Sequence, residues 1–193
     1  RTALADGWGG SMVATELSDI MFGTPSPTVA EVNMGVLKKD HVNIIVHGHE
    51  PAMFEGMLAA VSDPFYIEEA KARGAAGINL VGMCCSGAEM MSRHGIPHAG
   101  NFGSTEAVIV TGAVDAMVVD IQCIKQGLSH VAKCYDTHLI TTNPRCHIEG
   151  ATHIEFEERT PRTCTDQILT KAIARFGSRS MPVEIPKQVQ KGV

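Results

Sequence analysis

Three short clusters in the 193-residue sequence carry side chains suited to metal chemistry: His47-Gly48-His49, Cys84-Cys85-Ser86-Gly87 and Gln122-Cys123. Thiolates combined with imidazole favour iron–sulfur, zinc, copper(I) or nickel over calcium and magnesium. Each cluster follows an apolar run of strand character: Val42–Val46, Gly77–Gly82 and Asp115–Ile121. In an open parallel sheet, ligands bind beyond the carboxyl ends of the strands. Clusters far apart in sequence are therefore expected to meet at one sheet edge. Gly48 and Gly87 would let the backbone approach a bulky inorganic cluster closely. A helix expected from Gly87 would place its positive dipole end beside Cys85 and favour the thiolate. In extended chain the adjacent Cys84 and Cys85 point to opposite sides, so one of the two is expected to face the site.

Taken singly, each cluster has a plainer explanation. A cysteine that ends a strand is often a small buried apolar residue, and an isolated His-x-His is often a hydrogen-bonded core pair. Convergence of the three is what favours ligation. Cys134, Cys146 and Cys164 show no ligand spacing with one another and are read as structural, and the ten methionines as scattered core fillers. Cys85 paired with His47 or His49 as a thiolate–imidazole nucleophile is a competing reading. It gives Cys123 no task.

The elements that must position these residues follow a strand–helix rhythm. Arg1–Met21 reads as a helix with a glycine-weakened start, ending at Gly23 and Thr24-Pro25-Ser26-Pro27. Thr28–Lys39 reads as a second, shorter helix, with Thr28 as N-cap and Glu31 three residues on. Pro51–Gly74 is helical with a break near Asp63-Pro64, and Gly87–His94, Thr105–Val110, Lys125–Ala132 and Cys164–Phe176 are further helices. Thr137–Thr142 is another strand and His153–Phe156 an edge strand. Such alternation predicts an α/β fold, a doubly wound, Rossmann-like parallel sheet covered on both faces. The expected organisation is a helical lead-in over 1–39, a central α/β domain over 40–176, and a linker over 177–193 toward a further domain.

Composition narrows the function. A net charge of −5 without a Lys/Arg cluster argues against nucleic-acid binding. No apolar run approaches the roughly 18 residues of a transmembrane segment. Neither G-x-G-x-x-G nor a P-loop is present, so the phosphate cradle of ordinary nucleotide binding is missing. With no signal-peptide pattern, a reducing cytoplasm is expected, where the six cysteines are free or metal-bound rather than paired. The first residue, Arg1, suggests a piece of a longer chain.

At these same residues the sequence resembles the nickel–iron–sulfur carbon monoxide dehydrogenases. The stretches that carry the resemblance are Arg1–Gly10 (RTALADGWGG), Asp40–Pro51 (DHVNIIVHGHEP), Gly77–Gly87 (GINLVGMCCSG) and Thr111–Ile124 (TGAVDAMVVDIQCI). The resemblance implies a nickel–iron–sulfur cluster converting carbon monoxide and water to carbon dioxide, two protons and two electrons. It places the iron-binding histidine at His49 and two cluster cysteines at Cys85 and Cys123. His47 and Cys84 remain neighbours with at most a supporting role around the ligands. It further implies a homodimer, a ferredoxin-like electron acceptor and partner domains of the same polypeptide, since family members are about three times longer. In them a helical region holds electron-transfer clusters, and a further α/β domain supplies the remaining cysteines and a catalytic lysine. On that basis this chain alone is expected to lack a complete ligand set and carbon monoxide oxidation activity; turnover by the nickel-loaded chain without added protein would refute this. A hybrid-cluster or hydroxylamine-reductase-like iron–sulfur domain and a non-catalytic scaffold fragment are the alternatives.

Overall fold

Apolar runs that alternate with amphipathic helices bury both faces of a sheet, and that is how this chain folds. The computed structural model describes residues 2–122 and 124–192. In chain order the elements are α1 (Thr2–Phe22), β1 (Ala30–Val32), β2 (His41–Gly48), α2 (Pro51–Val61), α3 (Pro64–Ala72), β3 (Gly77–Met83), α4 (Cys84–His94), β4 (His98–Gly100), α5 (Thr105–Val110), β5 (Val114–Val119), α6 (Leu128–Cys134), β6 (His138–Thr141), β7 (Thr152–His153), α7 (Pro161–Phe176) and β8 (Gln190–Gly192).

The strands form one sheet in the order β7-β6-β5-β2-β3-β4-β1-β8. All pairings are parallel except that of β8 with β1. From β2 the chain winds outward through β3 and β4, then returns to the other side of β2 with β5, β6 and β7. This is the doubly wound, Rossmann-like arrangement the rhythm predicts. The winding direction reverses between β2 and β5, and such a switch point opens a crevice at the carboxyl edge.

The core lies on both faces. Val42, Ile44 and Val46 of β2 cluster with Met53, Phe54 and Met57 of α2 and Ile168 and Leu169 of α7. Ile45 belongs to the opposite cluster, with Val81, Met83, Met117 and Val119 from the sheet and Val108, Ile109 and Leu128 from α5 and α6. Each fully buried side chain of this kind stabilises by about 1.5–3 kcal/mol. At the amino edge the buried Asp115 receives the Arg179 guanidinium, whose Nε lies 2.8 Å from Oδ1. Arg179 also donates to the carbonyls of Lys39, His41 and Ala113, so it fastens the chain after α7 to the start of β2.

Several elements differ from expectation. Thr28–Lys39 is not a helix: Ala30–Val32 pairs with β4 and β8, and Met34–Val36 is one 3-10 turn. Asn33, at φ 85, caps that turn by accepting from the Gly35 N–H, and strand pairing on two sides overrides the local helix signature. β4 is an unanticipated strand of three residues. α4 begins at Cys84 rather than Gly87. Residues 178–189 contain no helix or strand, and Gln190–Gly192 then rejoins the sheet as β8.

Candidate metal centre at the carboxyl edge

The site is built from three strand ends. His47 is the penultimate residue of β2, fully buried and in register with Met83 of β3 and Val119 of β5. Gly48 follows at φ +145 and forms a parallel bridge with Cys84. The His-Gly-His and Cys-Cys-Ser-Gly segments are therefore backbone neighbours. His49 and Glu50 then lead into α2, with Pro51 at its first turn.

β3 turns into α4 within one residue. Cys84 sits at φ 56, a left-handed conformation uncommon for a residue with a Cβ. The turn is tight because two glycines abut: a Cβ on Gly82 would lie 2.4 Å from the Gly87 Cα. Cys84 and Cys85 thus occupy the first helical turn, not extended chain, and the expectation of opposite facing does not apply. Cys84 is half-buried and Cys85 exposed.

Beyond β5 stands Asp120, fully buried. Its N–H donates to the His47 carbonyl at 3.1 Å. Its Oδ1 accepts from the N–H groups of His49 at 2.7 Å and of Ile121, and its Oδ2 accepts from the Glu50 N–H at 3.1 Å and the Ser86 hydroxyl at 3.3 Å. Burial pushes the Asp120 carboxyl up from the ordinary carboxylate range, while these donors pull it back. A Cβ at residue 48 would fall 1.6 Å from Oδ1, so only glycine leaves room for the carboxylate. Gln122 has φ 61, and Cys123 lies outside the described residues.

A cleft of about 690 Å³ opens here between α1 and the sheet edge, lined by Leu17, Phe22, His49, Glu50, Asn143 and Glu158 among others. Burial, and then the negative charge of Asp120, pushes the Glu50 carboxyl up; a hydrogen bond from Asn143 acts the other way. His49 Nδ1 is buried with no hydrogen-bond partner among the described residues. A buried ring nitrogen left unpaired is costly, and a bound metal or ligand would satisfy it. Among the described residues no three His, Cys, Asp or Glu side chains converge as one metal-binding group. His49 lines this cleft whereas Cys84 and Cys85 are not among its lining residues, and the unpaired imidazole nitrogen suits one ligand of a thiolate–imidazole metal centre.

Of the other cysteines, Cys164 is buried and its thiol is pushed up to about 12 by burial, which suits a structural residue. Cys134 is exposed on α6. Cys146 is half-buried, and its thiol is pushed up by burial and then by the charge of Asp120. It therefore lies toward the same edge, which its spacing did not reveal. Asp120 and Glu50 were not singled out from sequence. Their only signal is position: Glu50 directly follows His47-Gly48-His49, and Asp120 stands between the apolar Val119 and Ile121.

The fold defines a doubly wound α/β domain with candidate ligand segments at its carboxyl edge, and comparison with known proteins gives its family. The Prismane/CO dehydrogenase family matches residues 1–193, and the chain belongs to it. Carbon monoxide dehydrogenase 1 of Methanosarcina mazei is 47% identical over 192 residues, covering 99% of this chain and 31% of that protein. A nickel-free carbon monoxide dehydrogenase from Thermococcus sp. AM4 superposes with a TM-score of 0.94 at 48% identity, covering 98% of this chain and 30% of that one. Carbon monoxide dehydrogenase IV from Carboxydothermus hydrogenoformans superposes at 0.89 with 48% identity, covering 93% and 28%. The chain thus spans about a third of the length of the relatives it matches. Among the described residues no helix is long and apolar enough to cross a membrane.

Proposed function

We propose that this chain is the central α/β part of a nickel-dependent, anaerobic carbon monoxide dehydrogenase, with His49, Cys85 and Cys123 contributing to its nickel–iron–sulfur cluster. The observation that carries the reading is the rooting of all three ligand-bearing segments on adjacent strands β2, β3 and β5 at the switch point. The buried, unpaired Nδ1 of His49 supports it. When bound, the cluster supplies Lewis-acid activation of water and a carbon-binding nickel, so that carbon monoxide and water yield carbon dioxide, two protons and two electrons.

The chain's own residues do the holding. His49 would hold iron through an imidazole nitrogen, and Cys85 and Cys123 would supply thiolates to the cluster. His47, buried beneath the edge, and Cys84, at the strained turn, shape the surroundings of those ligands. Leu17 and Phe22 contribute an apolar wall to the cleft. In this reading residues 40–176 form the central domain, and the lead-in 1–39 and the segment 177–193 each add one strand, β1 and β8, to its sheet. The working enzyme is a cytoplasmic homodimer that passes electrons to a ferredoxin-like acceptor and draws its remaining ligands from other domains of the same polypeptide.

The test is elemental analysis of the anaerobically purified chain for nickel, iron and zinc, with Cys85→Ala and Cys123→Ala alongside. Iron retained by the parent and lost in both variants is the expected result. Iron retained by both variants would overturn the ligand assignment, iron with no capacity for nickel would favour a hybrid-cluster protein instead, and no metal in any of them would leave a scaffold whose ligands are not assembled without the other domains.

A further inference from the structure

The three segments that carry His49, Cys85 and Cys123 share one physical connection. Oδ1 and Oδ2 of Asp120 each accept two hydrogen bonds, and the four donors come from all three segments. His49 and Glu50 offer backbone N–H groups from the end of β2. Ser86, the residue after Cys85, offers its hydroxyl from the first turn of α4. Ile121 offers its N–H from the loop that leads to Cys123. Gly48 is shaped to admit the carboxylate, since any Cβ there would overlap Oδ1. We propose, on the basis of the metal-centre reading above, that Asp120 is the positioning residue of that centre. It sets the relative placement of the three ligand segments by gathering a donor from each.

A purely structural role is the competing account, and the same strand supplies its control. Asp115, also fully buried, accepts from the Asn43 N–H at 2.8 Å and from Arg179 at the opposite edge of the sheet, away from every predicted ligand. Replacing either acid damages a buried hydrogen-bond network. Only Asp120 is tied to the ligand segments. An asparagine at 120 keeps the shape but has one accepting oxygen, so its NH₂ must confront two of the four donors.

The experiment is an anaerobic titration of the purified chain with Co(II), reading the cobalt–thiolate charge-transfer band and the dissociation constant, with the melting temperature of each variant. Asp120→Asn should weaken Co(II) binding by about tenfold or more and alter the charge-transfer band. Asp115→Asn should lower the melting temperature while leaving band and affinity at parent values. Should Asp120→Asn fail to fold, Ser86→Ala decides the matter, because it removes one connection and keeps the carboxylate; a loss of roughly threefold is expected. Parent-like titration by Asp120→Asn, or by Ser86→Ala in that case, overturns the proposal. A parent chain that gives no thiolate-bound cobalt removes the metal-centre reading and this proposal together, an outcome visible before any variant is compared.

Discussion

His138, at the start of β6, shows how burial sets a residue's charge. Loss of solvent, and then the positive charges of Lys171 and Arg175, hold its imidazolium form below the ordinary histidine range. His153 is depressed in the same direction by burial and by its stacked neighbour His147, whose ring centroid lies 4.0 Å away. A histidine whose folded pKa lies below its unfolded value of about 6.5 binds its proton more readily in the unfolded chain. Stability therefore falls as pH drops from about 6.5 through the folded pKa. Buried Asp115 and Asp120, with raised values, act in the opposite sense: stability falls as pH rises from about 4 toward their folded pKa values. Comparing His138→Gln with the parent cancels those contributions. The variant's melting temperature is expected to decline less between pH 7.5 and 5.5, and an identical slope would contradict this account. At this scale, residue type singles out His49 and Cys85 as candidates in the sequence. Asp120 was not, because an acid among Val118, Val119 and Ile121 shows its purpose only once segments about 70 positions apart are brought to it.

The elements divide by length. Long strands and helices could be read because seven or eight residues of continuous burial, or two helical turns, leave a pattern that packing then respects. Three-residue strands leave none, and β1, β4 and β8 exist because neighbours pair with them. The helix expected over Thr28–Lys39 shows the cost: its cap-like Thr28 and Glu31 spacing was a local signal, whereas Glu31 pairs in register with Lys191 across β8. α4 was misplaced by three residues because the turn at Cys84 uses a positive φ that no propensity favours in cysteine. Arg179 belongs to this scale, since one side chain joins three elements. Its removal leaves Asp115 buried without its guanidinium partner, so Arg179→Ala should cost about 3 kcal/mol in urea unfolding. Removing the exposed Lys71 of the Glu68–Lys71 pair should cost no more than about 0.5 kcal/mol. Equal costs would mean the tail is not fastened by this contact.

On the scale of the whole molecule, α1 stands apart from the rest. None of its residues is buried, and Leu4, Trp8 and Ile20 are more than two-thirds exposed. Its C-terminal end is held by Arg93 of α4, which pairs with Asp19 and donates to the Gly23 carbonyl at 2.7 Å. So much exposed apolar area is unusual for a finished surface. It agrees with relatives about three times as long as this chain. The strand–helix rhythm predicts the doubly wound topology, but not which face of the molecule is left bare.

The hydrogen bonds gathered by Asp120 also have a consequence in time. His49 and Glu50 reach Asp120 across 71 and 70 positions, and Ser86 reaches it across 34. Contacts of that span form only after the intervening loops have closed, so they come late in folding. β2 can pair with β3 before β5 arrives, and in that interval the His-Gly-His segment has no carboxylate to hold it. Pulse-labelled amide exchange during refolding should therefore show the His49 and Glu50 amides becoming protected together with those of Ala116–Val118, never before them. Earlier protection would contradict this order. If these segments carry the proposed centre, a metal ion that met the chain during the interval would find unarranged ligands, so the Asp120 connection would also set when the site becomes ready to be filled.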